Sequence, residues 1–288
     1  MPPFLTVDRK GGNIMTDPNI PKSGFSDVDR SPDPFALVQA MDRRAKSRVN
    51  RDFKNRVTKV LDVRRGHTVL DVGCGVGLDM AHIGSIVGRV GRVIGIDSSQ
   101  VMLNEGRKRY AKSDLRLSFI RADGHHVPLP DNFCDRIRAE GVFQHLNKPA
   151  QALHDLVRVL KPGGRIVVAD PDYELRVIDT PYKDVARRLY RFLADTYTQS
   201  DIAHRTYSLF VKQGLSDIEV EPMTATILDW EDFISQTNFE VELALAQKHG
   251  AITEEEGQKL YQDLEQAAQE GHFFAAMTFF IVSANKPR

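Results

Sequence analysis

Two cysteines in 288 residues, Cys74 and Cys134, are too few for a disulfide framework, and neither sits in the paired spacing of a thiolate metal site. A reduced, intracellular chain is expected. No apolar run approaches the roughly 18 residues of a membrane span, and the first thirty residues lack the charged and apolar regions of a signal peptide. A soluble, cytoplasmic protein with no membrane partner follows as the expectation. Nor does one sign of charge prevail: Lys plus Arg and Asp plus Glu both total 39, and the isoelectric point is about 7.1. Without a long-range field to gather nucleic acid, no nucleic-acid partner is expected. His125, His126, His145 and His154 match no metal-ligand spacing and have no companion carboxylate or thiolate cluster, so no metal is expected either.

What the chain does have is enough apolar residue, 41%, to bury one substantial core. Residues 1 to 34 are rich in Pro, Gly, Asp and Ser and read as a flexible N-terminal segment unless they fold over a site. Met15 follows Lys10-Gly11-Gly12, whose codons are purine-rich, so the first fourteen residues are open to being translated ribosome-binding sequence. From Phe35, apolar residues recur at helical spacing as far as Val60, and the same stretch carries eight basic residues between Arg43 and Lys59. A nucleic-acid helix and the solvated face of an amphipathic helix both fit; the neutral balance of the chain favours the second.

Beyond residue 60, strands and helices alternate. Strands are expected at 67–72, 92–97, 115–121, 134–139 and 164–169, and helices at 78–87, 99–111 and 149–160. That alternation predicts an α/β fold with a doubly wound, mostly parallel sheet. A helical region covers 180–213, and two last strands are expected at 218–223 and 273–284, with about fifty residues between them. Fifty residues are too many for a hairpin loop. Asp229 opens one helix of that insertion, ending near Gly250, and Thr253 with Glu256 forms a capping box for another, ending near Gly271.

The most informative segment is Val69 to Gly77, Val-Leu-Asp-Val-Gly-Cys-Gly-Val-Gly, an apolar strand entering three alternate glycines. Glycine lets backbone approach a ligand that a Cβ would repel, and the following helix points free N–H groups at it. Asp97, closing the next strand, is placed to accept hydrogen bonds from ribose hydroxyls. A dinucleotide fingerprint would need glycine at position 78, where this chain has Leu78. The early third glycine argues against a dehydrogenase.

These residues resemble the class I S-adenosylmethionine-dependent methyltransferases, specifically the small-molecule branch that acts on quinones and natural products. Val69 to Gly77 is similar to that family's first motif and Asp97 to the acidic end of its second. Phe119 to Gly124 resembles the third-strand motif, and Phe133 to Glu140, Gly141 to Leu146 and Arg158 to Gly164 resemble the passage from fourth strand to fifth. The likeness covers roughly residues 60 to 222 in the family's order. It implies a Rossmann-like seven-stranded sheet over 35–227 and 271–288, with 180–213 forming part of a cap and 228–270 a helical insertion over the substrate. The helices could instead thicken the fold or form the contact of a homo-oligomer.

For the site, the resemblance implies S-adenosylmethionine as cofactor and a small-molecule methyl acceptor as partner, with oxygen or carbon accepting the methyl. Asp71, Gly73, Cys74 and Gly75, with Gly77, would surround the methionine moiety. Asp97 would hold the ribose, Ser98 and Met102 would flank the adenine, and Asp123 and Gly124 would read its edge. Glu140 and Gly141 end the fourth strand, where the fold opens toward the acceptor. His145, a turn later, is the candidate base or acceptor-orienting group, with a structural histidine as the alternative. Tyr173 is a candidate acceptor contact or a packed aromatic, and Arg205 a candidate partner for an anionic acceptor. Tyr190, Tyr197 and His204 are weaker candidates in the cap. Two other functions stay open at this point: a protein or RNA methyltransferase docking through the basic helix, and a cofactor-binding protein without transfer activity.

Overall fold

A computed structural model of the chain describes residues 24–288. The expectations for residues 1–23, including the translated leader, lie outside the described residues. The elements in chain order are α1 (Pro34–Lys46), α2 (Arg48–Leu61), β1 (Thr68–Val72), α3 (Leu78–Val87), β2 (Arg92–Asp97), α4 (Gln100–Arg109), β3 (Leu117–Arg121) and β4 (Cys134–Glu140). There follow α5 (Pro149–Val159), β5 (Leu160–Ile178), α6 (Lys183–Asp195), α7 (Ile202–Lys212), β6 (Ser216–Ile227), α8 (Trp230–Thr237), α9 (Phe239–Lys248), α10 (Glu254–Gln269) and β7 (Ala275–Asn285).

The strands form one seven-stranded sheet in the order β3-β2-β1-β4-β5-β7-β6. The first five run parallel, and β7 lies antiparallel between β5 and β6. The chain steps outward from β1 to β3 and then returns to the other side of β1 with β4. At that switch the loops leaving β1 and β4 diverge, and the crevice between them is where this architecture binds ligands.

Alternation along the strands divides the core in two. Leu70, Val72, Ile137 and Ala139 face Leu153, Leu156 and Phe210 of α5 and α7. Val69, Val93, Val167 and Ile281 face Phe53, Val57 and Leu61 of α2 and Met80 and Ile83 of α3. By the same two-residue period, Asp71 and Arg138 share the α2–α3 face as register partners on adjacent strands. A third apolar core joins α6 to α8, α9 and α10 around Phe233, Phe239, Leu243, Leu260 and Phe273.

Three elements depart from the sequence expectation. The helix expected across 35–60 is two helices, because Ser47 leaves helical geometry at ψ 145° and its hydroxyl accepts a hydrogen bond from Asn50 N as the cap of α2. The helix expected from 229 to 250 also divides, at Asn238, which adopts the left-handed conformation (φ 54°) that Asn tolerates better than most residues. The strand expected to end at 169 continues to Ile178, because pairing with β7 resumes beyond an irregularity between Pro171 and Arg176. The capping box of Thr253 and Glu256 forms at the head of α10.

Residues 24–34, expected to be flexible unless folded over a site, are held in place. Asp29 caps the N-terminus of α4, accepting from Ser99 Oγ (2.6 Å), Gln100 N (2.9 Å) and Val101 N (3.2 Å). Burial would raise the Asp29 pKa, but these hydrogen bonds outweigh it and the carboxyl is held below its usual range. A depressed pKa means that the contact is present above the ordinary carboxylate range and is lost as pH falls through the lowered value. Asp29→Ala removes an acidic group from a helix N-terminus, worth about 1 kcal/mol. The expected result is several-fold faster amide hydrogen exchange over 24–46, with exchange in β1 and β4 unchanged.

Candidate active site

One cavity of about 540 Å³ opens at the carboxyl ends of β1 and β4 and continues beneath α1, α2, α8 and α9. That volume lies within the roughly 300–1,000 Å³ usual for small-molecule sites. Its near end is the glycine turn. Gly73 and Gly75 have φ of +64° and +52°, and Gly75 N donates to Asp97 Oδ2 at 2.9 Å. A Cβ on Gly73 would strike Val142, and one on Gly75 would lie 2.6 Å from Met41 Cε. Neither glycine has room for a side chain, and both line the cavity with bare backbone.

The structure brings Asp71, Gly73, Cys74, Gly75, Asp97, Ser98, Met102, Asp123, Gly124, Glu140, His145 and Tyr173 to the wall of this cavity. Gly77 is not among them, which corrects its expected place in the binding turn. At φ +81° it caps α3, and a Cβ there would lie 2.7 Å from the Phe119 ring. Its glycine is required by close packing of helix on strand. Arg205 is likewise outside the cavity. It is exposed on α7 and bonds to Asp201 Oδ1 at 2.8 Å and Gln199 Oε1 at 3.1 Å.

Asp97 joins two loops, since its other oxygen accepts from Ser99 N at 2.8 Å. Burial nevertheless raises its pKa. Asp123 accepts from the backbone and ring of His125 at 2.9 and 2.5 Å. Burial would raise its pKa too, but the His125 hydrogen bonds bring it below the usual range. Burial pushes the Cys74 thiol well above its ordinary range and that of Cys134 up to about 12, so neither is a thiolate at neutral pH.

Below the glycine turn lies an ion cluster that composition did not reveal. Arg138, 2% exposed, pairs with Asp71 (3.1 Å), Asp79 (3.0 Å) and Glu140. Lys54 of α2 bonds to Asp79 at 2.5 Å and Glu140 at 2.8 Å. Three carboxylates thus face two cations. Burial raises the Asp71 pKa to about 6 against the opposing pull of Arg138. Asp71 Oδ2 is buried without a hydrogen-bond partner among the described residues. No local pattern marks the cluster: on the two-residue period of Arg138 the strand carries Cys134, Arg136 and Glu140 rather than a run of apolar residues.

The far end of the cavity is formed by residues that the motif did not reach. Tyr173 stacks on Tyr197 with centroids 3.6 Å apart, and Tyr197 lies 5.9 Å from the His145 ring. His145 Nδ1 is 3.2 Å from Ser26 Oγ. Burial, and then the nearby Arg44 charge, lower the His145 pKa to about 4. Arg176 pairs with Glu242 of α9 at 3.0 Å and lies over the Tyr190 ring at 4.4 Å. Phe53, Met277 and Phe279 complete an apolar wall, with Gln236 and Thr237 from α8. Tyr190 therefore supports Arg176 from behind, and His204 is bonded outside the cavity to Asp172 at 2.5 Å.

Comparison with known proteins agrees with this geometry. A methyltransferase-domain family model matches residues 70–168, the stretch from β1 to β5. An uncharacterised 37.1 kDa protein in transposon TN4556 of Streptomyces fradiae is 34% identical over 248 residues, covering 86% of this chain and 70% of that protein. The ubiquinone/menaquinone biosynthesis C-methyltransferase UbiE of Yersinia pestis is 35% identical over 124 residues. That match covers 42% of this chain and spans about half, 49%, of UbiE. Among solved structures, Haemonchus contortus phosphoethanolamine N-methyltransferase 2, in complex with phosphomonomethylethanolamine and S-adenosylhomocysteine, superposes with a TM-score of 0.60. It does so at 18% identity, over 92% of this chain and 60% of that one, a likeness of fold.

The sheet order, the glycine turn at the switch point and the family match together define a Rossmann-like methyl-transferring enzyme. The chain belongs to the class I S-adenosylmethionine-dependent methyltransferases, and S-adenosylmethionine is its cofactor.

The residues at the near end fit that cofactor. The buried orphan oxygen of Asp71 matches the α-ammonium of its methionine moiety, and the bare face of Gly73 and Gly75 leaves room for it. Among the described residues no cluster of His, Cys, Asp and Glu could hold a metal ion, and no helix is long and apolar enough to cross a membrane.

Proposed function

We propose that this enzyme methylates an oxygen or carbon of a small apolar molecule, with specialised or quinone-like metabolites as the class to screen first. The observation that carries the reading is the far end of the cavity. It is walled by Phe53, Met277, Phe279, Tyr173 and Tyr197 and roofed by α1, α8 and α9, a shape suited to a compact acceptor. UbiE, named for ubiquinone and menaquinone biosynthesis, lends further support. A docking role for the basic helix is less supported, because Lys54 and Arg56 are already paired with Asp79, Glu140 and Glu221.

When bound, S-adenosylmethionine would supply an electrophilic methyl on a sulfonium sulfur, the C–S bond breaking and leaving its electron pair on a neutral thioether as the acceptor's electron pair forms the new bond to the methyl. In this reading Asp71 and the Gly73–Gly75 backbone hold the amino-acid end, Asp97 the ribose, and Asp123 and Gly124 the adenine edge. Ser98 and Met102 flank the ring, and Glu140 acts through the ion cluster. The chain's main contribution is alignment, which lowers the barrier by fixing nucleophile and methyl in line.

His145 is assigned to acceptor orientation. With a pKa of about 4 it is neutral above that pH and weakly basic at neutral pH. His145→Ala is expected to lower kcat roughly ten- to a hundredfold while changing S-adenosylhomocysteine affinity less than twofold. The wild-type rate should show no histidine limb between pH 6 and 8. A limb near 6.5 that vanishes in the variant would restore the base role. Calorimetry with S-adenosylhomocysteine, followed by turnover screening of metabolite pools, tests the function itself. Binding without transfer to any pool would point to a protein that has kept the cofactor and lost the reaction.

A further inference from the structure

The cations lining the cavity are not alike. Lys54 and Arg138 are held by Asp71, Asp79 and Glu140, and Arg176 is held by Glu242. Arg44, on α1, also lines the cavity, yet no carboxylate pairs with it among the described residues. Its guanidinium carbon lies 5.6 Å from the Phe25 ring centroid. The adjacent Ser26 is bonded to His145, and His145 leads through Tyr197 to Tyr173. Arg44 therefore sits at the acceptor end, beside the orienting histidine and the stacked tyrosines.

From this we infer that Arg44 receives an anionic oxygen carried by the acceptor on an apolar, ring-bearing frame. The inference rests on the methyltransferase reading and narrows its substrate class. A partly buried guanidinium without a counter-ion is a costly arrangement that an anionic ligand relieves. The field of Arg44 reaches both neighbours, lowering the His145 pKa after burial has done so, and opposing the upward shift that burial gives Tyr173. The same field would keep an acceptor hydroxyl ionised. A second buried group bears on another part of the ligand: Gln144 Oε1, also on the cavity wall, has no hydrogen-bond partner among the described residues and would take a donor group carried elsewhere on the frame, not the anionic oxygen.

The chemistry accommodates both accepting atoms. An ionised ring hydroxyl pushes electron density onto its oxygen and onto the adjacent ring carbons. Arg44 would orient either by holding the oxygen; methylation of the ionised oxygen releases no proton, whereas methylation of a ring carbon is followed by loss of that carbon's C–H proton to solvent, which restores the aromatic ring and the hydroxylate. A carboxylate elsewhere on the frame would be held in the same way, as an anchor.

The test uses the full chain saturated with S-adenosylhomocysteine and three probes: 4-nitro-1-naphtholate, 2-naphthoate and the neutral 2-naphthamide. Wild-type protein is expected to bind at least one anion about tenfold or more tighter than the amide, the worth of one charge-assisted hydrogen bond. Arg44→Met should remove that preference while leaving the amide within about twofold, and Arg44→Lys should restore part of it. Preference for the naphtholate identifies an ionised hydroxyl as the group, and preference for the naphthoate a carboxylate. Equal binding of all three probes to wild type, an anion preference that survives in Arg44→Met, or no binding of either anion would overturn the inference. If S-adenosylhomocysteine itself fails to bind, the failure belongs to the methyltransferase site and not to Arg44.

Discussion

Arg138→Met is expected to lower the unfolding free energy by about 3–5 kcal/mol, the cost of leaving buried carboxylates without their partner. Arg138 is the one described cation that touches Asp71, and it shares Asp79 and Glu140 with Lys54. Its removal leaves three carboxylates facing a single ammonium on the face beneath the cofactor turn. The pH dependence of the loss is the diagnostic. Burial already raises the Asp71 pKa to about 6 with Arg138 present, and without the guanidinium it rises further. A carboxyl whose folded pKa lies above its unfolded value favours folding while protonated and loses that contribution as pH rises through the folded value. The difference between variant and wild type in urea unfolding should therefore be smaller at pH 5 than at pH 8. A difference that does not change with pH would assign the cost to lost packing rather than to charge.

Asp97→Ala is expected to weaken S-adenosylhomocysteine binding on the order of a hundredfold, about 3 kcal/mol. Two effects add. The carboxylate accepts from Gly75 N and Ser99 N, so it fixes the glycine turn against the start of α4. Each charge-assisted bond of that kind is worth about 1.5–3 kcal/mol, and its remaining lone pairs are the proposed ribose contact. Asp97→Asn separates the two effects. Its amide nitrogen would face either Gly75 N–H or Ser99 N–H, opposing donor to donor, so the side chain is nearly isosteric yet cannot hold both loops. Calorimetry should place Asp97→Asn close to Asp97→Ala. Near-normal affinity in Asp97→Asn would remove the carboxylate from the account.

Much of this site was legible because short-range chemistry fixes it. A glycine at φ +64° or +52° is demanded by the turn itself, wherever the rest of the chain goes. The Thr253–Glu256 box at the head of α10 is likewise written within four residues. Gly77 belonged to the same motif but serves packing against Phe119, a contact across 42 positions that no local pattern encodes. Arg205 failed for a related reason. Helical periodicity says which residues share a face, but not whether that face turns inward, and α7 presents Arg205 to Asp201 and solvent.

The sequence by itself determined the alternating α/β order, the bare glycine turn and the acidic strand end, because these follow from backbone sterics, strand period and capping over a few residues. The tertiary structure alone decided the rest. Strand register set Asp71 beside Arg138, Asp29 reached α4 from 70 residues away, and the packing of α1 and α9 brought Arg44 and Glu242 to the same cavity as Arg176 of β5. Those placements depend on how separately encoded elements pack, and there burial makes every unpaired charge count.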